Sequence, residues 1–120
     1  GMDQRHIDMV NGMRYEFEVI DRICRNITAD NAIDAAREVY SKSKSIQEDF
    51  LDELVRYLFE ISSEYIDTMS NVVDICIAMY EQTGEFIKNE NPSEEDIEEY
   101  CKVMISNTER ARKELALIRA

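Results

Sequence analysis

The chain has 120 residues, the length of one domain, with enough material to bury a core without disulfides or metals. Hydrophobic content of 44%, charged content of 33%, three Gly and one Pro describe a folded, helix-rich protein and exclude disordered or turn-rich classes. A net charge of −12 disfavours non-specific binding to nucleic acid or an anionic membrane, which needs Lys and Arg to meet phosphate.

Gly1 before Met2 has the look of a scar left by tag removal and carries no structural information. The first helical segment carries Val10, Met13, Phe17, Ile20, Cys24 and Ile27 in alternating steps of three and four. Gly12 weakens that segment slightly. Asn31 is placed to cap a second helix, with Asp34 in its first turn. The polar run Ser41 to Ser45 predicts a break. There Ser45 and Glu48 offer a capping box ahead of Phe50 and Leu51. Ser62-Ser63 predicts a further break. A helix unbroken from Ile46 to Ile87 would be about 60 Å long at 1.5 Å per residue. A domain of this size is expected to have a radius of gyration of about 13–14 Å. Asn91-Pro92-Ser93 ends one helix and starts the last, with Ser93 as N-cap and Glu94, Glu95 and Asp96 on its positive end. The predicted helices are about 4–27, 31–42, 46–61, 63–88 and 94–119. Short connections make neighbours antiparallel, so the expected fold is all-α, an antiparallel bundle of four or five helices in one domain over 1–120.

Two columns with a seven-residue period run through the middle of the chain. One is acidic (Glu53, Glu60, Asp67, Asp74, Glu81) and one has no charged member (Leu51, Leu58, Tyr65, Val72, Met79, Phe86). The acids raise the question of a metal site. All-helical, Mg-dependent nucleotide pyrophosphatases hold Mg²⁺ against a triphosphate with carboxylates three residues apart on two helices. Asp49 with Asp52 resembles one such pair, and Asn71 with Asp74 a worn version of the other. With Val72 at 0° on a helical wheel, Asp67 and Asp74 lie at about 200–220°, opposite the apolar arc. That placement predicts a solvated acidic face. The same helix is apolar over about 160°, wider than one neighbour requires. Its extra column, Ile66, Val73, Tyr80 and Ile87, is the candidate interface for self-association or for another helical protein.

The remaining candidates have plainer readings. His6, the single histidine, falls at the N-terminal edge of the first helix and is expected to be a surface or end-of-helix residue rather than a catalytic one. Cys24, Cys76 and Cys101 are odd in number, contain no CxxC pair, and are expected to pack in the core as small hydrophobes. Tyr57, Tyr65, Tyr80, Tyr100 and Phe59, with Met69, Met79 and Met104, are either core or the lining of an adaptable groove. Arg110, Arg112 and Lys113, with Lys42 and Lys44, make too small a basic group for a nucleic-acid footprint. No metal or cofactor site is expected. With no apolar run near ~18 residues and no leader pattern, the expected location is the cytoplasm.

Tyr57-Leu58-Phe59, Val72-Val73-Asp74-Ile75 and Glu95-Asp96-Ile97-Glu98-Glu99-Tyr100-Cys101 resemble steps in a small all-helical family of unknown function from Gram-positive bacteria. The resemblance covers roughly residues 46–118 and implies a helical bundle with a break near Ser62-Ser63; it does not point to any activity. Members of that family are often encoded beside PadR-type transcriptional regulators, which implies a regulatory or accessory role. The functional expectation is a cytoplasmic bundle acting through protein–protein contacts, as a homodimer or as the partner of another helical protein. The alternative is a diverged, Mg-dependent nucleotide pyrophosphatase-like protein.

Overall fold

The computed structural model describes residues 2–61 and 63–119. The described residues contain the α-helices α1 (Gln4–Arg25), α2 (Ala32–Ser45), α3 (Asp52–Ile61), α4 (Ile66–Lys88) and α5 (Glu94–Leu115). A π-helical turn, Ile46–Leu51, joins α2 to α3, and a 3-10 turn, Ser63–Tyr65, leads into α4. The fold is an all-α bundle with four legs: α1, the α2–α3 rod, α4 and α5.

Side-chain pairs fix the order and direction of the legs. Lys42 meets Glu16 and Arg5 meets Glu53, so the α2–α3 rod runs antiparallel to α1. Tyr40 packs on Tyr80, while Val73 lines a groove with Gln47 and Val55, so α4 runs back along the rod. Thr83 meets Tyr100 and Asn71 meets Glu114, which sets α5 antiparallel to α4. Asp21 meets Thr108 and Arg112, closing the ring between α5 and α1.

The predicted stripe of α1 is the buried stripe: Val10, Met13, Phe17, Ile20 and Cys24. Leu51, Leu58, Val72, Met79 and Phe86 of the apolar column are buried as well, and Tyr65 is half-buried. Among their acidic companions, Glu60, Asp67, Asp74 and Glu81 are exposed. Fully burying one leucine such as Leu54 or Leu58 contributes about 2 kcal/mol relative to exposure.

The predicted break at Ser41 to Ser45 is corrected. α2 continues to Ser45, whose backbone is helical and whose side chain caps nothing. Ser43 is buried, and its hydroxyl donates to the Val39 carbonyl 2.9 Å away, so a polar sequence is satisfied inside a helix. The buried positions of the rod explain the π turn. Ala32, Ala36, Val39, Ser43 and Ile46 follow steps of four and three. The next buried residue, Leu51, is five positions on, and Leu54 and Leu58 then resume the helical steps. An α-helix cannot keep a five-residue step on one face. A turn closed by i→i+5 hydrogen bonds can.

The break predicted at Ser62-Ser63 falls partly on Ser62 and on the Ser63 side chain, which lie outside the described residues. The flanking elements, α3 and α4, are separate helices. At 1.5 Å per residue the rod from Ala32 to Ile61 is roughly 45 Å long. It accounts for the long axis of 48 Å and for a radius of gyration of 15.0 Å, above the 13–14 Å expected of a rounder domain.

Asn31 occupies the predicted N-cap position but does not cap α2. Its carboxamide oxygen accepts from the Thr28 N–H and its Nδ2 donates to the Asn26 carbonyl, so it orders the α1–α2 loop instead. Ser93 does cap α5, and Asp96 completes a capping box by accepting from the Ser93 N–H. No helix among the described residues is long and apolar enough to cross a membrane.

The π turn carries Phe50 across to α1, where its ring lies against Gly12. A Cβ at Gly12 would stand 3.0 Å from Phe50 Cε1 and 3.2 Å from Cζ. Gly12→Ala is therefore expected to destabilise the fold by about 1 kcal/mol, although alanine favours a helix by a similar amount. Adding Phe50→Leu should relieve the crowding. Urea unfolding of both single variants and the double variant should show a coupling of about 0.5 kcal/mol or more; simple additivity would mean that ring and glycine do not meet as described.

Candidate functional site

A shallow, open cleft of about 550 Å³ lies at the closed end of the α4–α5 hairpin. The α4 wall is Glu81, Gln82, Glu85, Phe86 and Asn89; the α5 wall is Asp96, Glu99, Tyr100 and Val103. The one-turn spacing of these residues along two antiparallel helices makes them face one another.

Phe86 and Tyr100 stack in the cleft with centroids 4.2 Å apart and planes within 14°. Tyr100 is locked from behind. Its hydroxyl lies 2.9 Å from the Thr83 hydroxyl, which in turn donates to the Met104 sulfur 3.6 Å away. Burial raises the Tyr100 phenol well above its usual range, so it stays neutral at any physiological pH. At the inner end, Gln82 Oε1 accepts from Asn107 Nδ2 at 2.9 Å, and Asn107 Oδ1 accepts from Arg110 at 3.1 Å.

Every charged residue in the lining is an acid. Asp96 is held by the capping box and by Asn89 Nδ2 at 3.2 Å. Glu85 pairs with Lys88 at 3.0 Å, but both side chains are 75% exposed and such pairs contribute little. Glu81 and Glu99 have no ion-pair or hydrogen-bond partner among the described residues. The cleft is thus an apolar, aromatic floor between two rows of carboxylates.

The candidate interface column is distributed differently. Ile66, Val73, Tyr80 and Ile87 are all half-buried. Val73 and Ile87 pack against the core, and Tyr80 tilts against Tyr40 at 4.3 Å. Much of the extra apolar width of α4 is therefore covered by α2 within the same chain. Asp49, Asp52 and Asp74 are exposed, and among the described residues no three His, Cys, Asp or Glu side chains approach closely enough to hold a metal ion. Of the aromatic candidates, Tyr100 lines the cleft, while Phe59 is 52% exposed on α3. Met69, Met79 and Met104 are core residues.

His6 lies in the first turn of α1, at the helix end the sequence indicated, but it is buried rather than on the surface, with 6% exposure. Its ring stacks on Tyr57 at 3.5 Å, with planes within 3°. Nδ1 lies 2.7 Å from Asp3 Oδ1 and Nε2 3.6 Å from Glu53 Oε1. Asp3 is the N-cap of α1; the His6 backbone N–H, and then the His6 ring, hold its carboxyl below the usual range. The cluster joins the start of α1 to α3 and holds no nucleophile.

Asp21, which the sequence did not single out, is a buried acid shared by Arg25 at 2.9 Å and Arg112 at 3.7 Å. No buried side-chain polar atom among the described residues lacks a hydrogen-bond partner. The aromatic cleft was missed as well. Its signal is present: Phe86 and Tyr100 flank the Asn91-Pro92-Ser93 turn at similar distances, with acids on the same faces.

Comparison with family models, with curated proteins and with solved structures returns no match to this chain.

Two measurements probe these environments. Burial pushes the Cys24 and Cys76 thiols up to about 12, and also raises Cys101, which is only half-buried. Iodoacetamide at neutral pH should therefore modify Cys101 first, with Cys24 and Cys76 reacting only as urea unfolds the chain; equal rates in the native protein would contradict their burial. The Asp96 carboxyl is held below 3.8 by the Ser93 N–H, then by the Ser93 hydroxyl and by Asn89. A depressed carboxylate stabilises the fold fully above 3.8 and loses that contribution as pH falls through its folded value. The stability difference between the native chain and Asp96→Asn should be constant above pH 3.8 and shrink below it in urea titrations.

Proposed function

We propose that this protein acts through contact with another helical protein, and that the α4–α5 cleft is where the contact is made. The observation that carries the reading is the Phe86–Tyr100 stack, which floors a cleft of about 550 Å³ at the end of a hairpin. Helix-in-groove recognition needs an apolar trough with preset walls. The cleft supplies the trough, and the capping box with the Asn89–Asp96 hydrogen bond sets the walls. A regulatory or accessory role, exerted by occupying or releasing a partner helix, is consistent with such a surface, as is a location in the cytoplasm.

The partner is another protein rather than a second copy at this cleft. Two copies would bring two acidic rims together in a chain of net charge −12. The covering of Tyr80 by Tyr40 leaves less of the α4 column for self-association than its sequence pattern suggests.

The test uses three synthetic amphipathic helical peptides of about 14 residues, long enough to span several turns. They share one Leu/Phe stripe and differ in a polar face of Lys, Gln or Glu. At least one is expected to shift the amide resonances of Glu81–Asn89 and Asp96–Val103 selectively in the isotope-labelled protein. Phe86→Ala truncates a core residue as well as the cleft floor, and should weaken that binding about tenfold in protein shown by far-ultraviolet dichroism to be folded. If no peptide shifts the cleft resonances, the reading fails.

A further inference from the structure

We infer that the occupant of the cleft is a cationic amphipathic helix: one large apolar side chain on the Phe86–Tyr100 floor, with Lys or Arg one turn to either side. This inference rests on the docking reading above and specifies its partner.

Dimensions come first. From Glu81 to Asn89 the α4 wall is about 12 Å long at 1.5 Å per residue. That accommodates roughly two turns of a visiting helix, and so one or two anchoring side chains rather than a long heptad seam. Half-buried Val103 and the exposed edges of the stacked Phe86 and Tyr100 rings, which are 9% and 6% exposed, offer the anchor a shallow apolar contact.

Charge then selects what flanks the anchor. Glu81 and Glu85 stand one turn apart on α4, and Asp96 and Glu99 one turn apart on α5. A helix lying in the trough has acids on both sides and meets no basic residue in the lining. The four carboxylates are exposed, so each matched cation adds a modest, salt-screened attraction, and the bias toward a basic helix comes from several acids acting on one short trough. Glu81 and Glu99, unpaired among the described residues, have no internal pair to break before meeting a cation. The net charge of −12 steers any basic segment toward the protein at long range, and the rim discriminates at contact.

The same features reject other occupants. An acidic helix would place carboxylate against carboxylate, and nucleic acid or an anionic bilayer would meet the same field.

The peptide panel decides the matter. At about 50 mM salt the Lys-faced peptide should bind at least about tenfold more tightly than the Gln-faced one, and the ratio should fall as salt shortens the screening length. The Glu-faced peptide should bind weakest. Glu81→Gln/Glu99→Gln should weaken the Lys-faced peptide by about threefold to tenfold while leaving the Gln-faced peptide unchanged. Glu18→Gln/Glu38→Gln removes the same number of charges from exposed positions of α1 and α2 outside the cleft, and should leave both peptides unchanged. Far-ultraviolet dichroism and urea midpoints confirm that each variant is folded. Equal affinity for Lys- and Gln-faced peptides at the cleft would overturn the cationic partner and leave the docking reading standing. An equal effect of the two charge-removal variants would also overturn it, because the attraction would then belong to net charge alone. No binding by any peptide would remove both readings together.

Discussion

The five-residue step between Ile46 and Leu51 is the constraint on which the bundle depends. Either the rod loses its apolar face there or its backbone widens to keep that face in register. The chain widens. Leu51, Leu54 and Leu58 thereby continue the stripe begun by Ala32, Ala36 and Val39. The rod then runs most of the 48 Å length of the molecule and presents Tyr57 to His6 at the start of α1. Phe50, displaced by the wide turn, reaches α1 at its one interior position without a side chain. Gly12, a weak helix former in isolation, is thus matched to a ring from a residue 38 positions later.

Charge is sorted as strictly as volume. Glu60, Asp67, Asp74 and Glu81 of the acidic column face solvent, half-buried Glu53 meets Arg5, and the buried carboxylate of Asp21 is neutralised by Arg25 and Arg112 from two helices. Removing one partner of such a buried group would leave an uncompensated charge, so the arrangement ties α1 to α5 in one register. The acids of the α4–α5 cleft differ because they border an apolar floor instead of open solvent alone. The same residue type lies on a plain solvated face at Asp67 and Asp74 and borders an apolar cleft at Glu81 and Glu99.

Periodicity made the α1 stripe, the paired columns and the start of α5 legible, because each follows an ideal helical step and Ser93 carries its own capping chemistry. It could not reveal the π turn. A step of five is also what a break produces, and Ser45 with Glu48 imitated a capping box. His6 and Asp21 were opaque for another reason: their burial depends on partners far along the chain, Glu53 and Tyr57 for one and Arg112 for the other. The cleft depends on two aromatic residues on different helices, and a single-helix wheel assigns both to the core. The width of α4 was correctly legible, but its covering by Tyr40 was not, since that needs the direction of α2.

The position of the cleft beside the Asn89–Ser93 bend has a mechanical consequence. At the open end of a hairpin two helices can spread to admit a guest; at the closed end the connection is too short to allow it. The gap between Phe86 and Asp96 is therefore a caliper set by the loop, and Pro92 and the capping box hold the setting. Lengthening that loop by a residue would reset the aperture while leaving the buried stripes of α1, α2 and α3 as they are. The width of the trough is in turn tied to the Phe86–Tyr100 stack, which belongs to the buried core.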